Sequence, residues 1–209
     1  GEFYKTLESE GILDNTLIIF SSDNGPVLND GYYDDAVEKL GDHTPSGGLR
    51  GGKYSLFEAG TKVPFIAYWK GKIKPNVSNE IISQIDLFNS ISTIVGIDYK
   101  SKDGIDLSNL ILNNEGKGRE DLILEATTRT AYRKGDWAMI PPYNGRAIGP
   151  NVRIELGNSK DFKLYNLKED PSQKIDLAKK EPEKLKTMIS SFVKIRGKKF
   201  SNIENLILE

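Results

Sequence analysis

The stretch "NTLIIFSSDNGPV", residues 15–27, joins a run of apolar residues to a polar turn sequence. Apolar side chains fill consecutive positions from Leu17 to Phe20, a pattern typical of a strand covered on both faces, as in the parallel sheet of an α/β protein. Asn24-Gly25 is also a strong β-hairpin signal. No second apolar strand follows directly, however, so we interpret the stretch as the end of a buried strand rather than a hairpin.

Two oxygen-bearing side chains, Asp23 and Asn24, come at the carboxyl end of this strand. In open α/β sheets, ligands collect outside the carboxyl ends of the strands. Carboxylate and amide oxygens are the ligands that Ca²⁺ and Mg²⁺ prefer. The sequence therefore predicts a divalent cation at Asp23 and Asn24, with an ordinary solvated loop as the alternative.

Composition excludes several classes of function. The 209 residues carry a net charge of -1 and include no cysteine. Disulfides, thiolate metal sites and a cysteine nucleophile are therefore excluded. The chain lacks the strongly basic composition of a general nucleic-acid binder, and it has no apolar run of about 18 residues that could form a transmembrane helix. We expect neither nucleic acid nor membrane as a partner.

The first part of the chain, residues 1–115, has the order of elements found in an α/β domain. A helix ends at Gly11, the strand described above follows, and "VPFIAYW" at residues 63–69 forms the next strand. Another helix begins near Asp86 and ends at Gly96. Its apolar residues on one face are Leu87, Ile91, Ile94 and Val95.

Residues 25–52 show no periodicity and are rich in Gly, Asp, Asn, Pro and Ser. Long loops of this kind are uncommon in compact domains and are often functional. Residues 116–209 predict a small subdomain, with short strands, a turn at Gly135 and a helix near the end. The apolar stripe of that helix is Leu185, Met188, Ile189, Phe192 and Val193. The fold class is thus α/β, followed by a small antiparallel sheet packed with a C-terminal helix.

A second stretch, "GGLRGGKYSLFEAGTKVP" at residues 47–64, surrounds Lys53 with glycines. Glycine allows the backbone to approach a ligand closely, and a lysine ammonium is a compact charge suited to a sulfate or phosphate group. The stretch is not a Walker loop, because Tyr54 stands where a Ser or Thr is required. A flexible, solvated loop is the alternative.

Four blocks in this order resemble the formylglycine-dependent sulfatases, which are arylsulfatase-like members of the alkaline-phosphatase-like superfamily. The blocks are "IIFSSDNGP", "LRGGKYSLFEAGTKVPFIAYWKG", "QIDLFNSISTIVGI" and "LYNLKEDPSQKIDLA". Ala59 and Lys62 are mild departures from the usual Gly and Arg. The resemblance implies a partial alkaline-phosphatase-like sheet with flanking helices, hydrolysis of sulfate esters, sulfated carbohydrates as substrates, and a periplasmic or secreted location.

The resemblance also implies roles for individual residues. Asp23 and Asn24 correspond to the late pair of calcium ligands, and Lys53 to the lysine that contacts the sulfate ester oxygens. Arg50 is a candidate for substrate binding, with a structural ion pair as the favoured alternative. Glu58 is expected to shape the loop by accepting hydrogen bonds from it.

The only histidine, His43, matches no block of the family. Because it lies in the same loop as Lys53, we predict that it contacts the sugar or the leaving group. A surface histidine without a function is the alternative.

The sequence lacks the family's nucleophile motif, C/S-x-P-x-R, and its early Asp-Asp calcium pair. Asp23 and Asn24 alone are too few for Ca²⁺, which takes six to eight oxygens. We therefore expect a C-terminal portion of a sulfatase that is inactive alone, with the formylglycine in a missing N-terminal half. Self-association through the truncated sheet is also expected. The alternatives are a phosphatase or phosphonate hydrolase of the same superfamily, or a non-catalytic module that binds sulfated glycans.

Overall fold

The computed structural model describes residues 1–197, which form two compact units. The first unit contains Gly1–Ser21 and Pro64–Glu120, and the second contains Ser22–Val63 with the residues from Asp121 onward. The division into 1–115 and 116–209 stays a prediction, and in the structure Ser22–Val63 groups with the later residues.

The first unit begins with two helical segments and a pair of strands. Helix α1 spans Glu2–Ser9, and a 3-10 turn covers Leu13–Asn15. Gly11 has φ 69 at the end of α1, in the left-handed conformation that glycine commonly supplies there. Strand β1 (Ile18–Ser21) pairs antiparallel with β2 (Phe65–Tyr68). The partner of β1 thus follows the long loop, so Asn24-Gly25 is not a two-residue hairpin turn.

The expectation that β1 is covered on both faces, as in a parallel sheet, is wrong for the residues described. Phe20 is 61% exposed and Ile66 58% exposed, and the two lie directly opposite each other in an antiparallel pair. Cross-strand apolar contact between these neighbours stabilises the pair without covering that face. Self-association through this sheet stays a prediction.

Helix α3 (Ile85–Ile94) buries its polar face, which the apolar stripe did not predict. Asp86 is 1% exposed, whereas Val95, just after the helix, is 59% exposed. The Asp86 carboxylate pairs with Arg119 and accepts the backbone N–H of Ile105 at 2.9 Å. A buried charge is tolerated when it is paired and hydrogen-bonded in this way. The short helix α4 (Ser108–Asn113) follows.

The second unit contains a four-stranded antiparallel sheet and a helix, as predicted. The strands, in the order in which they pair, are β3 (Asp121–Ala126), β4 (Arg129–Lys134), β5 (Trp137–Ile140) and β6 (Lys163–Asn166). Helix α5 spans Pro182–Arg196, and Gly135 has φ 54 in the predicted turn between β4 and β5.

Each face of this sheet is covered by a different element. Met188 and Phe192 of α5 form one cluster with residues that include Tyr132 and Leu164. The alternate residues of the strands face the other way, since successive side chains point to opposite sides of a sheet. They cluster there with Leu56 and Phe57, which closely follow Lys53 in the chain. The loop that carries Lys53 is therefore anchored in the core of the second unit.

Candidate active site

Asp23 and Asn24 lie in an irregular segment that follows β1 along the chain. Asp23 is exposed, and the Asn24 side-chain amide nitrogen donates a hydrogen bond to the Gly25 carbonyl oxygen at 2.9 Å. This bond fixes the amide orientation, and within residues 1–197 the Asn24 side-chain oxygen accepts no hydrogen bond. Both side chains can therefore offer an oxygen to a ligand.

Two backbone hydrogen bonds join this segment to the loop that carries Lys53. The N–H of Gly25 donates to the Gly60 carbonyl at 2.9 Å, and the N–H of Lys53 donates to the Pro26 carbonyl at 2.9 Å. The backbone thus brings together the two stretches that the sequence analysis singled out. That the side chains of Asp23, Asn24 and Lys53 line one pocket stays a prediction.

Gly25 permits this close approach because it has no side chain. A Cβ atom at this position would lie 1.5 Å from the Ala59 carbonyl oxygen, a backbone atom that cannot move aside alone. We expect Gly25→Ala to cost about 1–3 kcal/mol of stability, the range for overpacking. Thermal unfolding followed by circular dichroism measures the loss.

Gly41→Ala is the matched control for this substitution. Gly41 has φ 57, and a Cβ atom added there would meet no other atom within 4 Å. The substitution should therefore cost only about 1 kcal/mol for the left-handed conformation. Equal losses for the two variants would contradict a special role for close packing at Gly25.

Lys53 is partly buried and lies beside an acidic side chain. Its ammonium nitrogen is 3.9 Å from the Asp30 carboxylate and 5.4 Å from the centre of the Tyr54 ring. Asp30 was not predicted as a site residue, because an acid before Gly31 resembles an ordinary turn residue. Lys53 is therefore a partly buried donor beside one acidic side chain.

All three nitrogens of the Arg50 guanidinium are engaged within the protein. Nε and Nη2 donate to the two Glu155 carboxylate oxygens at 2.6 and 2.9 Å, and Nη1 donates to the Gln173 carbonyl at 2.7 Å. The hydrogen bond with Glu155 raises the pKa of Arg50 and lowers the pKa of Glu155. This geometry matches the structural ion pair, and substrate binding by Arg50 stays a prediction.

Glu58 starts the short helix α2 (Glu58–Thr61) and is 5% exposed. Its carboxylate accepts a hydrogen bond from Arg133 of β4 at 2.9 Å, and its backbone N–H donates to the Gln173 side chain at 2.7 Å. Donors from the loop itself were expected, so the source of the hydrogen bond was predicted wrongly. The reason is that the loop packs on the sheet, which places Arg133 opposite Glu58.

His43 is exposed in the long loop. Its backbone N–H donates to the Leu40 carbonyl at 3.2 Å, and within the described part of the chain its ring has no hydrogen bond or ion pair. A role of His43 in catalysis, through contact with the sugar or the leaving group, stays a prediction.

The donor set partly fits calcium. Asp23 and Asn24 supply hard oxygens of the correct type, but Ca²⁺ takes six to eight. Across residues 1–197, no group of three or more His, Cys, Asp or Glu side chains is placed to hold a metal. These two residues therefore can contribute to a calcium site but cannot form one by themselves.

Comparisons with known proteins show which proteins this chain resembles. A sequence model of the Sulfatase family matches residues 1–97. N-acetylgalactosamine-6-O-sulfatase of Bacteroides thetaiotaomicron is 43% identical over 187 residues, which are 88% of this chain and 37% of that protein. Human arylsulfatase A is 34% identical over 114 residues, which are 54% of this chain and 21% of that protein.

A solved structure from work on the metabolism of multiple glycosaminoglycans by Bacteroides thetaiotaomicron superposes with a TM-score of 0.88 and 39% identity. The match covers 95% of this chain and 42% of that one, so this chain spans less than half the length of the relatives it matches. These findings confirm the resemblance to arylsulfatase-like proteins of the alkaline-phosphatase-like superfamily. The chain belongs to the sulfatase family.

Proposed function

We propose that the protein, at its natural length, hydrolyses sulfate esters of carbohydrates such as N-acetylgalactosamine 6-sulfate. The similarity to a protein named N-acetylgalactosamine-6-O-sulfatase supports the substrate. The site supports the reaction class, because the Lys53 backbone is hydrogen-bonded to Pro26, close to Asp23 and Asn24. The backbone hydrogen bonds that join these two stretches are the observation that carries the proposal.

In this proposal, Lys53 donates hydrogen bonds to the sulfate oxygens as negative charge develops in the transition state. Fixed donors aimed at developing charge are commonly the largest catalytic contribution. Asp23 and Asn24 would hold Ca²⁺ together with further ligands, and bound calcium supplies positive charge beside the same oxygens. His43 is proposed to contact the sugar or the leaving alcohol.

The nucleophile in this proposal is a formylglycine outside the 209 residues, since they contain no cysteine and no serine in the required motif. The chain alone is therefore expected to be inactive. The test compares the natural-length protein with this chain on N-acetylgalactosamine 6-sulfate, an aryl sulfate and an aryl phosphate. Sulfate release by the natural-length protein alone is expected. Faster phosphate release would identify a phosphatase, and binding without hydrolysis would identify a glycan-binding module.

Asp23→Ala is expected to weaken calcium binding by the natural-length protein by about tenfold or more, the equivalent of roughly 1.4 kcal/mol. The reason is the loss of one charged oxygen ligand. Isothermal titration with CaCl₂ measures the affinity directly. Asp42→Ala, which removes an exposed acid from the same loop, is the control, and an unchanged affinity in Asp23→Ala would contradict the ligand role.

A periplasmic or secreted location is part of the same proposal. Among residues 1–197, every helix is too short or too polar to cross a bilayer.

A further inference from the structure

Arg129, at the start of β4, differs from other arginines of the second unit in its partners. Arg50 and Arg133 each pair with a carboxylate, from Glu155 and Glu58 respectively. Within residues 1–197, the Arg129 guanidinium is partly buried and hydrogen-bonds only to neutral oxygens. Burial lowers its pKa, and no described acid offsets that effect. Its positive charge is therefore solvated by the protein but not neutralised by it.

The neutral partners hold the guanidinium in a fixed orientation. The Asn158 side-chain nitrogen donates to the Arg146 carbonyl at 2.7 Å, so the Asn158 side-chain oxygen is directed to accept from Arg129 Nη1 at 2.5 Å. The Thr127 hydroxyl oxygen accepts from Nη2 at 2.8 Å and from Nε at 3.2 Å. A side chain ordered before binding loses little conformational entropy when it meets a ligand.

Arg129 also contacts the loop next to the proposed catalytic lysine. Its Nη2 donates a long hydrogen bond to the Tyr54 carbonyl at 3.4 Å, and Tyr54 directly follows Lys53. Tyr54 has φ 74, a conformation that is rare for a residue with a bulky side chain and tends to occur at functional sites. The charge of Arg129 therefore lies against the same short segment that positions Lys53.

We propose that Arg129 binds a second anionic group of the substrate glycan, separate from the sulfate that is removed. The group is a carboxylate of a neighbouring uronic acid or a second sulfate, since both present oxyanions that a guanidinium binds through charge-assisted hydrogen bonds. This inference rests on the proposed function. It makes Arg129 a specificity-determining residue for anionic glycans.

The test measures kcat and KM of the natural-length protein on three substrates. They are N-acetylgalactosamine 6-sulfate, a disaccharide that adds a uronic acid, and N-acetylgalactosamine 4,6-disulfate. In Arg129→Gln, KM should rise about tenfold to a hundredfold on one of the two doubly anionic substrates. This is the loss of affinity that corresponds to removal of one hydrogen bond to a charged group. A change of less than about threefold is expected on the monosulfate. The substrate whose KM rises shows whether Arg129 binds the carboxylate or the second sulfate.

Arg129→Lys and Arg146→Gln complete the experiment. The lysine variant keeps the charge and should recover part of the affinity, which also covers a failure of Arg129→Gln to fold. Arg146 is exposed, so its loss should leave all three KM values unchanged. Equal KM changes on all three substrates would overturn the inference while leaving the proposed function standing. Absence of hydrolysis of every sulfated substrate by the wild type would overturn the proposed function and the inference together.

Discussion

Lys53→Ala is expected to lower kcat of the natural-length protein on a sulfate ester by about a hundredfold to a thousandfold, the usual loss when one preorganised donor to the transition state is removed. The effect should appear in kcat more than in KM, because the interaction strengthens as charge develops on the sulfate oxygens. Lys53 is suited to this role since it is partly buried and its backbone is fixed to Pro26.

Steady-state kinetics on an aryl sulfate measure the loss. Lys39→Ala is the control, because Lys39 lies in the long loop that precedes Lys53 but is exposed and forms a surface pair with Asp35. Its kcat should stay within about twofold of the wild type, as a screened surface pair contributes little. A similar kcat in both variants would remove Lys53 from the reaction.

Arg133→Ala is expected to lower the free energy of unfolding of the second unit by about 3–5 kcal/mol, the usual cost of breaking a buried ion pair from one side. Glu58 is 5% exposed, and Arg133 supplies the hydrogen bond to its carboxylate at 2.9 Å. Removing the guanidinium leaves the buried Glu58 carboxylate without this partner. The loss disturbs α2, whose residue Gly60 holds Gly25 in place.

Urea unfolding at neutral pH measures this loss. Lys163→Ala is the matched control, because the pair of Lys163 with Asp176 at 3.0 Å is about one-third exposed and should contribute only about 0–1 kcal/mol. Equal losses for the two variants at neutral pH would show that the Glu58–Arg133 pair contributes no more to stability than a partly exposed surface pair.

The sequence predicted the features that depend on local pattern. The antiparallel sheet, the turn at Gly135 and the helix that buries Met188 and Phe192 all follow from short-range periodicity and turn residues. The two stretches around Asp23 and Lys53 were singled out by their residue types, and the family blocks that lie on them supported the choice. The backbone hydrogen bonds that join the two stretches agree with that interpretation.

The features that escaped prediction depend on partners far apart in the chain. Burial of Asp86 requires Arg119, and the apolar stripe of α3 does not predict that pair. The partners of Arg50, Glu58 and Arg129 lie on other elements, so one sequence without its fold cannot reveal them. The expectation that both faces of β1 are buried was wrong for the same reason, because an apolar run does not specify which strand pairs with it.

The anchoring of the Lys53 loop has a consequence for the order of biosynthesis. Ser55 donates its hydroxyl hydrogen to the Glu155 carbonyl at 2.6 Å, and the Leu56 N–H donates to the Leu156 carbonyl at 3.1 Å. A ribosome translates the loop well before it makes these acceptors, and such non-local contacts form late. The nascent loop must wait unpaired until Glu155 and Leu156 emerge, so the appearance of these acceptors, rather than loop synthesis, sets the earliest moment at which the Lys53 segment is anchored.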